Sequence, residues 1–433
     1  MAWGIPATLG DVRTGRRVRQ SHPPTGGGLG GSSPGEEPGS APPRIVVVSN
    51  GHGEDEFGAR VATILREGGA DLRAAPLVGL GRAYTAAGIP VVTPTRDLPS
   101  GGFVHLRLDR LLRDLGAGWW SLTRGQLRAL RALRPWAEGV LVFGDAWALW
   151  VATRGLRRRV VQAQPLVSHH YRHGPGAGAP SRAFVDRLHP IEIRLMRRWA
   201  DRVFLRDELT ARDARAAGVA QAGFCGSFAM AALGSAPPLV APEGTLPIAL
   251  LPGSRADAPA ALLRMLVALE LVSTARPVRA WLRVVPALEG ISPPRGWGVR
   301  GEAWTRGACR VEPTRVPLAA VLAGARVALG AAGTANEQAA GAGVPVAGLV
   351  GATRQFDGAF ALAQARLLGR ALRLCRSEVE AAAALLALAA DGPERSAALV
   401  DGRDRMPAGP RTFETIAAAV MAQALSRRSA PGS

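Results

Sequence analysis

A chain of 433 residues, 47% of them hydrophobic, carries enough apolar material for about two cores rather than one; its formal charge of +19 comes from 53 basic residues, every one an arginine. That balance suits anionic partners such as nucleotide phosphates or an acidic membrane face, whereas the dispersed arginines and the lack of a nucleic-acid motif exclude a nucleic-acid binder of known type. Cys225, Cys309 and Cys375 lie too far apart for a disulfide framework or a zinc spacing, which favours a reducing, cytoplasmic compartment, and the longest apolar run, Ala381 to Ala390, is about half of the ~20 residues that cross a bilayer.

In chain order, residues 1–43 are rich in Gly, Pro and Ser, lack the apolar centre of a signal peptide, and are expected to form a disordered tail. Order is expected from Arg44, where RIVVVS reads as a strand buried on both faces, followed by a glycine loop and a helix from about Asp55. Strands near 74–79, 89–93, 139–143 and 159–163 alternate with helical stretches, the pattern of a doubly wound α/β domain spanning 44–235. Within it, 103–136 carries Trp119, Trp120 and Trp136, with Arg124, Arg128 and Arg131 on one helix face opposite Leu130 and Leu133. Such a face suits an anionic membrane surface, and equally a helix whose leucines pack on the sheet. A helical bridge over roughly 181–217 leads to a short apolar element at Gly223 to Ser227 and a proline-rich linker at 236–242. A second alternating series, 245–410, is predicted with strands near 247–251, 280–285, 326–330 and 345–349, and a last helix over 411–425 is expected to turn back onto the first domain.

Two segments of the second domain are built to hold anions. In the first, IALLPGSR at 248–255, a strand runs into Gly253, the hydroxyl of Ser254 and the guanidinium of Arg255, a planar fork that grips phosphate oxygens in pairs. In the second, ALGAAGTANEQ at 328–338, a strand runs through Gly333 and Thr334 directly into a helix, whose first turn offers unpaired N–H groups and a positive dipole end. Ala335, Glu337 and Gln338 follow on that turn, and Gln338 is placed to reach a ribose. Two such cradles suggest a diphosphate ligand, and both stand at carboxyl ends of strands, where open α/β sheets bind ligands.

The first domain offers polar groups for a second substrate. Gly51, His52, Gly53, Glu54 and Asp55 form the first glycine loop, able to bind hydroxyls, to supply a base, or simply to cap the first helix. Asp145 follows the apolar strand at 140–143 and stands either as a carboxylate at the cleft mouth or as the N-cap of the next helix. SHHYRH at 168–173 holds three of the seven histidines, yet no carboxylate or cysteine spacing completes a metal site, so a loop between domains is expected and no metal. GLGRAY at 79–84 lacks the third glycine of a dinucleotide fingerprint, which argues against NAD.

These segments together resemble lipid-A-disaccharide synthase, and more closely a group known only as related to it. The resemblance is carried by LLPGSR at 250–255, GTANEQ at 333–338, VGLGRAY at 78–84, VFGD at 142–145 and Gln355-Phe356, and it extends over about 45–425. It implies the GT-B architecture of two doubly wound Rossmann-like domains facing across a cleft. The implied activity is that of an inverting, metal-independent glycosyltransferase without a cofactor, moving an N-acetylglucosamine-like sugar from UDP to a lipid-linked acceptor at the inner membrane face. On that resemblance Asp145 is the general base, Arg255, Gly253, Ser254, Gly333 and Thr334 hold the donor diphosphate, 103–136 receives the acyl chains, and a homodimer is open. The chain departs from the synthase at Gln338, where the synthase has glutamate, at Gly226-Ser227-Phe228 in place of a histidine-proline turn, and in the first glycine loop. Two other readings stay open: a UDP-sugar 2-epimerase on the same fold, and a membrane-associated UDP-sugar-binding protein without catalysis.

Overall fold

The computed structural model describes residues 41–96, 119–173, 186–409 and 411–429; the first 40 residues of the expected tail and the 103–118 part of the arginine-bearing stretch lie outside them. β1 (Arg44–Ser49) buries five of its six residues because it runs through the middle of a parallel sheet covered on both faces. β2 (Asp71–Pro76) flanks it on one side and β3 (Gly139–Phe143) on the other; β4 (Val160–Gln164), β5 (Ala200–Leu205) and β6 (Ala222–Gly223) complete the order β2-β1-β3-β4-β5-β6, parallel throughout. The strand expected near 89–93 is reduced to a single bridge between Ala74 and Val91. The helical bridge expected over 181–217 is broken by β5, between the Pro190–Trp199 and Glu208–Ala216 helices. Its partly exposed residues, Asp201 and Arg202 among them, hid the strand, because no continuous apolar run marks it.

The second sheet holds β7 (Leu246–Leu251), β8 (Val278–Arg283), β9 (Gly298–Arg300), β10 (Ala303–Arg306), β11 (Cys309–Thr314), β12 (Val327–Gly330), β13 (Val346–Leu349) and β14 (Leu372–Cys375), in the order β14-β13-β12-β7-β8-β11-β10-β9. All its pairings are parallel except the β9-β10-β11 meander at one edge. Sequence periodicity marks none of β9, β10, β11 or β14, because an arginine in each interrupts the apolar pattern.

The chain crosses between the two sheets twice. Ser227 caps the Phe228–Leu233 helix, accepting from Met230 N at 3.4 Å, and its own amide donates to Pro407 O at 3.0 Å. Gly226 has φ +117°, and a Cβ there would stand 2.4 Å from Gly409 Cα, so the two crossings touch backbone to backbone. The Thr412–Ser429 helix then packs on the first sheet: Val140 N donates to Gln423 Oε1 at 2.9 Å, and Gln423 Nε2 donates to Asp201 Oδ2 at 2.6 Å. Phe57, Phe143, Phe228 and Phe413 pack together on that face, with Phe143 and Phe228 edge to face at 5.3 Å, which ties the crossing helix and the last helix to the first domain's core.

Candidate active site

In the first sheet the order reverses between β1 and β3, since β1 is followed by β2 on one side and β3 by β4 on the other. The loops leaving their carboxyl ends therefore diverge and leave a crevice. Asn50 to Asp55 line one wall and Gly144 and Asp145 the other, with Ser49 and Phe143 in register beneath them. Asn50 Nδ2 donates to Asp145 Oδ1 at 2.9 Å across the crevice. The same Oδ1 accepts Trp147 N at 3.0 Å and Ala148 N at 3.2 Å, so Asp145 is the N-cap of the Ala146–Leu156 helix and its orientation is held by three donors.

The glycine loop begins the first helix earlier than expected, at His52. Glu54 and Asp55 are buried, Gly53 is partly so and His52 is exposed. The imidazole lies over Gly79, where a Cβ would come within 2.7 Å of Cε1, so the glycine is what lets the ring settle there. Gly51 makes similar room for the Glu54 carboxylate, whose Oε2 is 2.5 Å from where a Cβ would be. Behind the loop Tyr84 OH donates to Ser49 Oγ at 2.9 Å and Ser49 Oγ donates to Asp55 Oδ1 at 2.6 Å. Burial pushes the Asp55 carboxyl up to about 7, against the Ser49 bond that favours its charged form, and the nearby Glu54 and Glu56 charges add to the rise. Burial likewise holds the Tyr84 phenol well above its usual range. Neither Ser49 nor Tyr84 was read from the sequence as a partner of Asp55; Tyr84 entered there as the residue that spoils a dinucleotide fingerprint and as the end of VGLGRAY.

In the second sheet the reversal falls between β7 and β12, paired in register with Leu251 beside Gly330. Both predicted anion cradles open from these two adjacent strand ends. Ala331 N donates to Leu251 O at 2.9 Å, and a Cβ on Gly253, at φ +93°, would meet Ala331 O at 3.5 Å. Ser254, Arg255 and Thr334 are exposed and Gly253, Gly333 and Ala335 partly exposed. In the first turn the following helix starts only at Ala258. The second leads straight into the Thr334–Gly341 helix with Gly333 as N-cap and no side chain capping it. The loop after β13 closes over both: Thr353 Oγ1 donates to Ala331 O at 3.3 Å and Arg354 N to Asp257 Oδ2 at 2.7 Å. Phe360 and Gln355 flank the space beside Gly333, and the Gly333 carbonyl is drawn away by Gln364 Nε2 at 2.9 Å, itself bonded to the buried Asn336.

Comparison of the sequence with protein families and with curated proteins finds no match. Solved structures do match. The glycosyltransferase of kitacinnamycin superimposes with a TM-score of 0.55 at 19% identity, covering 90% of this chain and 100% of its own. CalG4, the calicheamicin glycosyltransferase, gives 0.55 at 17% identity over 89% and 98%. A Listeria monocytogenes protein described as a UDP-N-acetylglucosamine 2-epimerase gives 0.53 at 14% identity over 91% and 99%. The chain has the GT-B fold.

In this GT-B chain the two carboxyl edges meet at a set of contacts that sequence spacing did not show. Glu337, one turn into the cradle helix, pairs with Arg206 Nη2 at 2.6 Å, at the end of β5 in the first domain. Gln338 Nε2 donates to Ala229 O of the crossing helix at 2.9 Å. These two members of the predicted donor site are thus engaged with the other domain and the crossing. The histidine group forms a short turn, His169–Arg172, packed toward the Gly358–Leu368 helix. His169 Nδ1 bonds Asp213 Oδ2 at 2.8 Å, with His173 Nε2 3.2 Å from His169 Nε2. Among the described residues no group of three or more His, Cys, Asp or Glu is placed to hold a metal ion, and no helix is long and apolar enough to cross a membrane. In the Trp119–Ala132 helix Leu127 and Leu130 are buried against the sheet, while Arg124, Arg128, Arg131 and Trp120 are exposed.

Proposed function

We propose that this GT-B chain is an inverting, metal-independent glycosyltransferase that moves an N-acetylglucosamine-like sugar from a UDP donor to a lipid-linked acceptor. The observation that carries the reading is the pair of glycine turns on adjacent parallel strands at the reversal between β7 and β12, with Arg255 on one turn and helix-terminal amides on the other. A departing UDP gains negative charge as its bond to the sugar breaks; a guanidinium and fixed N–H dipoles stabilise that charge more in the transition state than in the bound donor. Gly253, Ser254, Gly333, Thr334 and Ala335 form the donor cradle. The acceptor hydroxyl enters at the first crevice, where Asp145 takes its proton, with Asp55 the rival base in the same loop system. The exposed Arg124, Arg128 and Arg131 beside Trp120, continued by exposed Trp150, Arg154 and Arg157, support contact with an anionic membrane that supplies the lipid. Resemblance to the lipid-A-disaccharide synthase group supports both the donor and the acceptor class.

A second reading, UDP-sugar 2-epimerization, is favoured by the Listeria neighbour and by a near-neutral Asp55 able to give or take a proton near pH 7. Calorimetric titration with UDP, UDP-N-acetylglucosamine and acylated UDP-glucosamine, with Arg255→Ala alongside, tests the donor site. Micromolar binding lost in the variant is expected; no binding to any of the three refutes both readings. Sugar conversion by the protein with UDP-N-acetylglucosamine alone would select the epimerase.

A further inference from the structure

Arg206 stands at the carboxyl end of β5, a strand that sequence periodicity did not reveal, and it reaches out of its own domain. Its guanidinium is anchored at home by Nη1, which donates to Pro165 O at 2.8 Å and to Tyr171 OH at 3.4 Å, while Nη2 reaches Glu337 at 2.6 Å. Both side chains are nearly buried, at 12% and 14% exposure, so neither charge has much water to fall back on. Burial opposes the charged arginine, yet Glu337 outweighs it and holds the guanidinium protonated beyond its ordinary range. Tyr171 packs its ring against the second domain's core, and Glu337 lies on the helix whose N-terminus is the second anion cradle. The pair therefore joins the histidine-bearing turn of one domain to the donor cradle of the other.

We propose that Arg206 is a positioning residue that acts through Glu337 to fix the distance between the two half-sites: it holds the Thr334–Gly341 helix, and with it the donor cradle, against the first domain. The inference rests on the glycosyltransferase reading for what the cradle holds, but the clamp itself is a statement about the two domains. Closing a cleft by a charge pair confines reactants to one geometry, which is where an enzyme of two half-sites gains rate without gaining donor affinity. Removing Arg206 leaves Glu337 buried without its cation, and the cheapest relief is for the domains to part and let water in.

The test uses the full chain and the variants Arg206→Ala, Arg206→Lys and the exchange Arg206→Glu with Glu337→Arg. Hydrogen exchange at 165–171 and 334–341 and small-angle scattering report the interface, UDP calorimetry reports the cradle, and circular dichroism checks folding. Arg206→Ala is expected to speed exchange in both segments at least tenfold and to enlarge the scattering radius, with UDP affinity changed less than threefold. Arg206→Lys is expected to fall between, since an ammonium keeps the charge but loses the fork, and the exchange variant to restore part of the protection. Unchanged exchange and scattering in folded Arg206→Ala, or equal loosening in the exchange variant, overturns the clamp. Absence of UDP binding in the unaltered chain counts against the donor reading alone, and the interface measurements still decide the clamp.

Discussion

Asp55→Asn offers the sharpest check on the electrostatics of the first crevice. The unfolded carboxyl releases its proton near 3.8 and the folded one near 7, so between those values only the folded chain holds the proton. Stability is then fullest below the unfolded value and falls as pH rises, levelling off above about 7. Each tenfold difference in proton affinity is worth about 1.36 kcal/mol, so the whole gap amounts to about 4 kcal/mol, of which roughly 2–3 kcal/mol develops between about pH 5 and about pH 8. Asparagine has no proton to lose, and its amide oxygen can still accept from Ser49 Oγ, now 2.6 Å from Oδ1. The variant should therefore gain on the unaltered chain as pH rises, by roughly 5–10 °C in Tm between those two values for a domain of this size. Thermal unfolding followed by circular dichroism across that range measures it. Parallel curves for the two proteins would refute the reasoning, for they would mean that Asp55 ionises in the folded chain as freely as in the unfolded one.

Further outcomes follow from the same contacts. Gly58→Ala places a Cβ 2.1 Å from Tyr84 OH, so it should displace the phenol from Ser49 and cost about 1–3 kcal/mol in denaturant unfolding; a neutral result would mean that Tyr84 moves at no cost. Gln423→Ala strands Val140 N beneath the last helix and removes one donor from Asp201, which keeps Arg159; it should cost about 1–3 kcal/mol and make 412–429 the first site of limited proteolysis. Asp145→Asn should leave UDP affinity nearly intact, since the cradle lies in the other domain, and abolish sugar transfer to a lipid acceptor with the accompanying release of UDP; full retained turnover would transfer the base to Asp55.

Much of the architecture is written locally. The continuous apolar runs that become β1, β3, β7, β12 and β13 are legible because a strand covered on both faces is apolar at nearly every position, whatever its neighbours are. Gly333 is legible for a similar reason: a strand that runs through glycine directly into a helix exposes amides by its own backbone geometry. The cap at Asp145, the leucine-in, arginine-out helix and the two-domain division also rest on patterns within a few residues. Tertiary structure alone decided which strand lies beside which. It thereby decided that the two cradles open from adjacent strands and that Asn50 faces Asp145, 95 residues away. It also brought Tyr84 to Ser49 and Asp55, and paired Glu337 with Arg206 and Gln338 with Ala229. Periodicity reports only whether a side chain faces inward, whereas a proton affinity near 7 or a charge pair between domains depends on which distant groups share the same dry space. Only the packing of the whole chain determines that.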